Sequence, residues 1–411
     1  MSATATTSRP SLLFLCQTLP YPPDGGVNIR SYNVLRLLAR DFDVTALCFY
    51  RRAERSSPAA VAAGLEGLAE FARVEAFPVP QEHSRLRLLA DHALSLATRR
   101  AYTLTLYASR AYGSRIEAAL AGGRVDLVHM DSLDLARYLP LLRGVSVACT
   151  HHNVESRLLR RRGLAEDSLP RRWYMLRQAR WIEDLERHWC ERVAINLAVS
   201  EADRDELARL APRARFGVIP NGVDVETFRP TDAPQDGLLF VGGANWFPNR
   251  DALEYFSAEI LPLIRAGGAT PAVRWVGRSS DADRQHYAAR HGIDLTGYVD
   301  DVRPHIARAA CYVVPLRVGG GTRLKILDAW AMGKAVVSTS IGCEGLEAVD
   351  GENILVRDTP ASFAQAVREV LLDAGLRERL GRAARRTVER RYSWDVIGAE
   401  LRRLYLPLVR R

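Results

Sequence analysis

Short, continuous apolar runs recur along the chain and alternate with longer stretches of amphipathic character. Such runs are typical of parallel strands buried on both faces, and the stretches between them have the length of helices. The pattern predicts a doubly wound α/β fold that occurs twice. The predicted strands are Leu12–Cys16, Val44–Tyr50, Val125–Met130, Val145–Thr150, Ala194–Val199, Leu238–Val241, Val273–Val276, Cys311–Val314, Ala335–Ser338 and Ile354–Val356.

The helical period is lost between Leu210 and Leu238, a stretch with four prolines and the turn sequence Pro220-Asn221-Gly222. We place the boundary here, with one domain over residues 1–212 and a second over 213–391. This division suits a chain of 411 residues. Two-domain α/β proteins often send their last helix back across the hinge, so the amphipathic stretch at 392–411 is expected to pack on the first domain.

Composition excludes wholesale disorder and fibrous folds, since 47% of the residues are apolar and 26% are charged. The net charge of +9 suits contact with phosphates or an anionic membrane surface, although a solvated basic surface explains it equally well. Basic residues are dispersed and no recognition motif is present, so nucleic acid is not an expected partner. Arginine supplies nearly all the positive charge, and the lysines are Lys325 and Lys334.

The six cysteines have no spacing typical of a disulfide framework or a zinc site, so we expect buried thiols in a reducing compartment. The first ten residues lack the pattern of a signal peptide, and no apolar run reaches the length of about 18 residues that a membrane helix needs. These features predict a cytoplasmic protein, either soluble or peripheral on the inner face of the membrane.

The most informative stretch is Pro315–Thr339, where a predicted strand leads into Gly319–Gly321 and then into a helix that begins near Thr322. Glycines before a helix N-terminus let backbone N–H groups approach an oxyanion, which the helix dipole also favours. Arg323 and Lys325 would be unfavourable in that first turn unless an anion offsets them. The pattern predicts a phosphate site, and the alternative is a plain turn with solvated basic residues.

The same helix is predicted to end at Met332, with Gly333 as its C-cap. Asp328 lies more than one turn beyond Thr322, and its carboxylate could accept hydrogen bonds from two sugar hydroxyls. An exposed acid on a helix needs no such explanation, so both interpretations stay open.

Two further loops follow predicted strands. The first, Thr18–Arg30, contains Gly25 and Gly26 at the carboxyl end of the first strand, where open α/β sheets bind ligands, although a bare turn is equally consistent. The second, Thr150–Ser156, carries adjacent histidines. A general acid/base or substrate-orienting histidine fits better than a metal site, because no third ligand has a recognisable spacing. A structural histidine is the other alternative.

Residues 157–192 combine ten arginines and six acids with interleaved aromatic residues. The simpler interpretation is a long surface helix whose aromatic side chains pack inward. The functional one is a patch that docks on anionic lipid headgroups.

Taken in order, several stretches resemble the family 4 glycosyltransferases, which are retaining enzymes that use nucleotide sugars. The resemblance covers nearly the whole chain. It implies the GT-B architecture, in which two Rossmann-like doubly wound domains face each other. The stretches that carry it are PYPPDGG, THHNVES, Leu197–Leu207, Val218–Pro230, Phe240–Leu253, Gly297–Leu316, GGGTRLKILDAWAMGKAVVST, Ile341–Leu346 and Tyr392–Trp394.

The resemblance also implies roles for individual residues. Those assigned to the donor diphosphate are Gly25, Gly26, the Gly319–Gly321 loop, Thr322, Arg323 and Lys325. His152, which precedes Asn153, would lie beside the transferred sugar, with His151 as the fallback. The backbone at Tyr298–Val299 would contact the base, and Asp328 would meet the ribose.

The chain departs from the family pattern at three places. Of the family's Glu-x7-Glu pair, the first position is Gly320 and the second is Asp328, so the first carboxylate is missing and Glu344 is a candidate replacement. Many relatives also have a basic residue in the loop after the first strand of the second domain. Only Arg250 could substitute there, and we do not assign it a catalytic role.

These features predict transfer of a sugar from a UDP- or GDP-sugar to a glycan or lipid-linked acceptor, as in exopolysaccharide or lipopolysaccharide assembly. We expect same-face attack with retention, and neither a cofactor nor a metal. The alternatives are a sugar-nucleotide epimerase, a phosphorylase with a pyridoxal phosphate lysine, and a non-catalytic binder or scaffold of a polysaccharide assembly complex.

Overall fold

The computed structural model describes residues 9–51, 57–80, 84–123, 125–319 and 324–409. The chain divides into two compact units. The first contains the residues up to Ile219 together with those from Gly398 onward, and the second spans Pro220–Ile397. Each unit is built on one parallel sheet with helices in the connections, which confirms the predicted doubly wound pattern.

The first unit holds a seven-stranded sheet in the order β3-β2-β1-β4-β5-β6-β7. Every neighbouring pair in it is parallel. The strand order reverses direction between β1 and β4, so this unit has its topological switch point there. The strands are β1 (Ser11–Cys16), β2 (Asp43–Tyr50), β3 (Arg73–Pro78), β4 (Leu127–Met130), β5 (Ser146–His151), β6 (Ile195–Ala198) and β7 (Phe216–Val218).

Eight α-helices and one 3₁₀ helix are described in the first unit before β7. The 3₁₀ helix spans Leu133–Leu141. The α-helices are α1 (Gly26–Leu38), α2 (Pro58–Glu66), α3 (Arg85–Thr98), α4 (Thr103–Leu106), α5 (Arg110–Ala121), α6 (Glu155–Leu164), α7 (Leu169–Cys190) and α8 (Glu201–Leu210).

The second unit holds a six-stranded parallel sheet in the order β10-β9-β8-β11-β12-β13. Its switch point lies between β8 and β11, by the same reasoning. The strands are β8 (Asp236–Val241), β9 (Val273–Val276), β10 (Ile293–Gly297), β11 (Ala309–Val314), β12 (Val336–Ser338) and β13 (Leu355–Val356).

The helices that follow β8 include one with a π-helical turn at Phe256–Ile260, between α9 and α10. A 3₁₀ turn at Leu406–Leu408 follows α16. The α-helices are α9 (Phe247–Tyr255), α10 (Leu261–Ala266), α11 (Asp281–His291), α12 (Arg303–Arg308), α13 (Leu324–Ala331), α14 (Pro360–Leu372), α15 (Ala374–Arg391) and α16 (Trp394–Tyr405).

Helix α13 ends as the sequence predicts. Gly333 has a positive φ of 65°, and its N–H donates to the carbonyl of Trp330, while the N–H of Lys334 donates to the carbonyl of Ala329. This pair of bonds is the Schellman arrangement, which a glycine adopts without a steric penalty.

Three strands, β3, β7 and β10, were not predicted, and each lies at the edge of a sheet. Edge strands have one neighbour and are partly exposed, so they lack the continuous apolar runs of central strands. Strand β7 pairs with β6, which places residues 216–218 in the first unit and corrects the predicted start of the second domain at 213. The final residues that group with the first unit begin at Gly398 instead of 392.

All six cysteines are buried free thiols, as the sequence predicts. Within the described ranges, no helix is both long enough and apolar enough to cross a membrane.

Candidate functional site

The carboxyl end of β8 is held close to that of β9 by glycine backbone. The N–H of Gly242 donates to the carbonyl of Val276 at 2.7 Å. Gly277 has a φ of 142°, and a Cβ there would lie 2.6 Å from the amide nitrogen of Gly243. Only glycine fits at Gly277, because backbone atoms cannot move aside as a flexible side chain can. The edge of the sheet beside the switch point is therefore lined by backbone.

Lys325 brings a positive charge to this edge. Its Nζ lies 3.0 Å from Oδ1 of Asn249 and 4.1 Å from the centroid of the Phe240 ring. It also lies beside the backbone of Gly242, where a Cβ would come within 2.7 Å of Nζ. The half-buried ammonium is thus held in a fixed position at the β8 side of the switch point, where open α/β sheets bind ligands.

Asn249 was not selected from the sequence, although it positions Lys325. It is 8% exposed, and its Nδ2 donates to the carbonyl of Gly243 at 3.0 Å, which fixes the direction of Oδ1.

Arg250, the next residue, has a different partner. Both of its terminal nitrogens donate to Asp283, at 3.2 and 3.0 Å. This hydrogen-bonded pair lowers the pKa of Asp283 to about 2 and gives Arg250 a structural role.

The predicted phosphate loop falls largely outside the described residues. Gly319 is described and has a φ of 135°, a backbone conformation that favours glycine. Gly320, Gly321, Thr322 and Arg323 lie outside the described residues, so their roles stay predictions. The described helix begins at Leu324, and Lys325 is its second residue.

Asp328 lies one turn after Lys325 on α13 and is half-buried. Loss of hydration raises the pKa of its carboxyl to about 7. A buried polar atom of the same helix, Nε1 of Trp330, has no hydrogen-bond partner within the described part of the chain. Polar atoms buried in this way favour an interaction with a polar ligand or water.

The other donor-site candidates of the second unit lie in loops that follow β10 and β12. Tyr298 directly follows β10, is 64% exposed, and has Arg278 5.3 Å from its ring centroid. Val299 packs against the hydrophobic core, which anchors the loop. Glu344 is half-buried in the turn after β12, and its N–H faces the carbonyl of Ile341. All three therefore lie beyond carboxyl ends of strands of the same sheet.

In the first unit, α1 begins where the sequence places the glycine pair. Gly25 is the N-cap and Gly26 the first helical residue, and the carbonyl of Gly25 accepts from the N–H of Ile29 at 2.8 Å. No atom lies within 4 Å of where a Cβ of Gly25 would be. The helix N-terminus is therefore open on this side, and an open N-terminus is suited to an anion.

A buried carboxylate, Asp131, lies beside this N-terminus, directly after β4. Its Oδ2 accepts from the Ser31 hydroxyl at 2.6 Å and lies 3.4 Å from Nε2 of His152. Its Oδ1 lies 3.4 Å from Nε2 of His129. Burial alone would raise the pKa of Asp131, but the attraction of His152 and the contact with His129 outweigh it and hold the pKa far below its usual range. Asp131 is thus an anion within a cluster of donors.

Arg30 belongs to the same cluster, although its side chain is only 1% exposed. Burial lowers the pKa of Arg30 to about 10, and the attraction of Asp131 limits that fall. The Tyr405 hydroxyl lies 2.6 Å from Nδ1 of His129 and completes the far side of the cluster. Sequence reasoning missed Asp131 and Arg30. The position of Asp131 immediately after a predicted strand was the signal that could have found it.

The structure distinguishes the two adjacent histidines. His151 is the last residue of β5, is buried, and has its Nε2 3.0 Å from Oδ1 of Asn196. Burial lowers its pKa to about 4, so it is a neutral structural histidine, and the fallback assignment is wrong. His152 follows the strand, and its Nε2 faces Oδ2 of Asp131; its role toward the transferred sugar stays a prediction. Asn153 donates to Glu155 at 3.0 Å, within its own loop.

In the described ranges, no three histidine, cysteine or acidic side chains form a group that could hold a metal ion.

Comparison with known proteins shows the family to which the chain belongs. A profile described as Glycosyltransferase Family 4 matches residues 24–227, and one described as Glycosyl transferases group 1 matches residues 235–373. The D-inositol 3-phosphate glycosyltransferase of Streptomyces avermitilis is 29% identical over 236 residues, which cover 51% of each chain. The phosphatidyl-myo-inositol mannosyltransferase of Mycolicibacterium smegmatis is 29% identical over 234 residues, or 53% of this chain and 58% of that one. The matched region spans about half the length of these relatives.

Solved structures share the fold over almost the whole chain. Sucrose-phosphate synthase from Thermosynechococcus elongatus has a TM-score of 0.68 at 16% identity, covering 97% of this chain and 99% of that one. Anabaena HepE in complex with UDP has a TM-score of 0.65 at 14% identity, covering 96% and 99%. The fold is therefore GT-B, and with one profile matching each half, the chain belongs to the family 4, group 1 glycosyltransferases.

Proposed function

We propose that this chain transfers a sugar, with retention, from a UDP- or GDP-sugar to a hydroxyl of a glycan or lipid-linked acceptor. The observation that carries the proposal is the Lys325 ammonium, held by Asn249 beside the β8–β11 switch point. A fixed cation at the carboxyl edge of a parallel sheet suits the diphosphate of a nucleotide sugar. Family membership supports the reaction class.

In the proposed reaction, the bond between the anomeric carbon and the diphosphate oxygen breaks, and the bonding electrons stay on that oxygen. Lys325 stabilises this growing negative charge, and it does so without reorganising, because Asn249 already holds it. The acceptor oxygen attacks the same face that the leaving group departs from and loses its proton to the departing phosphate. Asp328 would accept the ribose hydroxyls, and the backbone at Tyr298–Val299 would contact the base.

In the first unit we assign the transferred sugar to His152 and the donor phosphates to the open helix N-terminus at Gly25 and Gly26. The buried Asp131 carboxylate keeps the His152 ring in place. Because the chain offers its own cation for the diphosphate, we propose that turnover is independent of a divalent metal.

Nucleotide binding tests this proposal directly. A ligand that binds only the folded chain raises the free energy of unfolding, by about 2.7 kcal/mol at a ligand concentration of 100 times Kd, and the melting temperature rises with it. We expect UDP or GDP, and the matching nucleotide sugar, to raise the melting temperature in EDTA, and slow release of the nucleoside diphosphate to follow. Binding without release would favour the non-catalytic binder. Interconversion of sugars without release would favour the epimerase, and no shift with any nucleotide would contradict the proposal.

For the acceptor, we propose a lipid-linked molecule at an anionic membrane surface. One relative is named as acting on phosphatidyl-myo-inositol. In this chain, helix α3 exposes large apolar side chains to solvent, including Leu86 at 79% and Leu89 at 67%. The beginning of α7 does the same, with Leu169 at 75% and Trp173 at 55%. Apolar side chains among arginines are the composition of a peripheral membrane surface.

The paired change Leu86→Ser and Leu89→Ser is expected to weaken binding to phosphatidylglycerol vesicles about tenfold or more, because two large side chains no longer enter the bilayer. Changing Arg160, Arg161 and Arg162 to Glu should also weaken binding, more strongly at low salt. Cosedimentation measures both effects. Leu372→Ser is a matched control, since Leu372 is 83% exposed but lies in the second unit. Unchanged binding in the first two variants would count against a membrane surface here.

A further inference from the structure

An apolar cavity of about 530 Å³ lies in the first unit, beside the hairpin of α6 and α7. Its walls include Leu159 from α6, Met175 and Ile182 from α7, and Thr103 from α4. This volume is within the usual range for small-molecule sites, about 300–1,000 Å³. It is separate from the glycine, histidine and lysine residues assigned above.

The cavity is apolar because the polar atoms of its lining side chains have partners elsewhere. The Tyr174 hydroxyl lies 2.5 Å from Nδ1 of His92. Gln178 donates to Ser95 at 2.8 Å, and its Oε1 accepts from the N–H of Tyr102 at 2.9 Å. These bonds leave ring and methylene surface toward the cavity. Water inside would find few partners, so an apolar occupant is favoured.

The polar atom of the Thr103 side chain also has a partner outside the cavity lining, since its hydroxyl donates to Asp134 at 2.5 Å. Glu166, the acid of the lining, accepts from the N–H of Ser168 and so is engaged within its own loop. The remaining charged group of the lining is Arg171, in the exposed first turn of α7. The cavity therefore combines an apolar interior with a cation at its solvent side.

We infer that the cavity binds the hydrocarbon chain of a single-chain lipid phosphate, with Arg171 facing its phosphate. This inference rests on the proposed function, because it gives the lipid-linked acceptor a place in the first unit. With about 530 Å³ of space, the cavity is expected to hold one hydrocarbon chain and not the two chains of a phospholipid.

Calorimetric titration with dodecyl phosphate, below its micelle concentration, tests the inference in the full chain. Each methylene displaced from an apolar site weakens binding about fourfold. Leu159→Trp fills the cavity and should weaken binding at least about tenfold. Leu164→Trp, on the same helix but 57% exposed, should leave it unchanged. Arg171→Gln should weaken dodecyl phosphate but leave neutral dodecyl maltoside unaffected.

A second readout guards against a variant that fails to fold. Wild-type binding should show a negative heat-capacity change, the mark of apolar burial, and inorganic phosphate alone should not. Equal affinity in Leu159→Trp and wild type, or tighter binding of dihexanoyl phosphatidic acid, would overturn the inference. So would a dimer of this chain that dissociates in Leu159→Trp. Nucleotide shifts measured in the same samples separate this result from the proposed function, because none of the residues assigned to the nucleotide sugar lines the cavity.

Discussion

Lys325→Met is expected to lower kcat/KM for the nucleotide sugar by about 100- to 1,000-fold, the usual loss on removing one preorganised group that stabilises a developing anion. Methionine keeps the apolar stem beside the Phe240 ring and removes only the charge. The thermal shift with the nucleoside diphosphate should also shrink. Steady-state kinetics and thermal unfolding, measured on the same preparation, check both expectations.

Arg308→Ala provides the matched control. Arg308 is an exposed cation of the same unit and pairs with Asp236 at the amino end of β8, on the opposite edge of the sheet. Its loss should leave kcat/KM unchanged and shift stability by no more than about 0.5 kcal/mol. If Lys325→Met also kept full activity while folded, the ammonium would have no part in the reaction.

The second large effect is expected on stability. Asp131→Asn removes the anion that faces buried Arg30 and leaves an uncompensated charge, which typically costs about 3–5 kcal/mol. For a unit of this size the melting temperature should fall by roughly 6–20 °C. His152→Gln keeps the anion and removes one of its partners, so it should lower the melting temperature less than Asp131→Asn does, and it should lose activity. Calorimetry and kinetics together distinguish the two roles.

The stability difference between wild type and Asp131→Asn should depend on pH, because folding lowers the pKa of Asp131. Its pKa is lowered in the folded chain, so the stability it contributes is present above the unfolded value of about 3.9 and is lost as the pH falls. Wild type and Asp131→Asn should therefore differ most near neutral pH and converge in acid. An equal difference at pH 7 and pH 3 would show that packing, and not the charge, is responsible.

The central strands and the loops after them could be predicted from the sequence, because parallel strands that are buried on both faces are continuously apolar. The edge strands β3, β7 and β10 were missed, since one-sided exposure breaks that pattern. Because β7 was missed, the boundary was predicted between residues 212 and 213, whereas the structure has it after β7, which ends at Val218. Gly333 was predicted correctly because its role depends only on residues within one helical turn.

Within the candidate site, Lys325 was found from its neighbours in sequence, but its partner Asn249 was not, because 76 residues separate them. Asp131 and Arg30 interact only through the fold, at a distance of 101 positions (131 − 30) along the chain. To distinguish His151 from His152, the end of β5 must be known to within one residue, because His151 is its last residue and His152 follows it. Local chemistry could be predicted, and long-range partners required the packed sheet.

The burial of every native thiol has a practical consequence for spectroscopy. Loss of hydration raises the pKa of Cys149 and Cys343, the latter to about 11, so little of the reactive thiolate forms at neutral pH. A cysteine introduced at exposed Leu164 would react with a maleimide dye far ahead of all six. The wild-type background can therefore carry a single fluorophore beside the α6–α7 hairpin, with no native cysteine replaced.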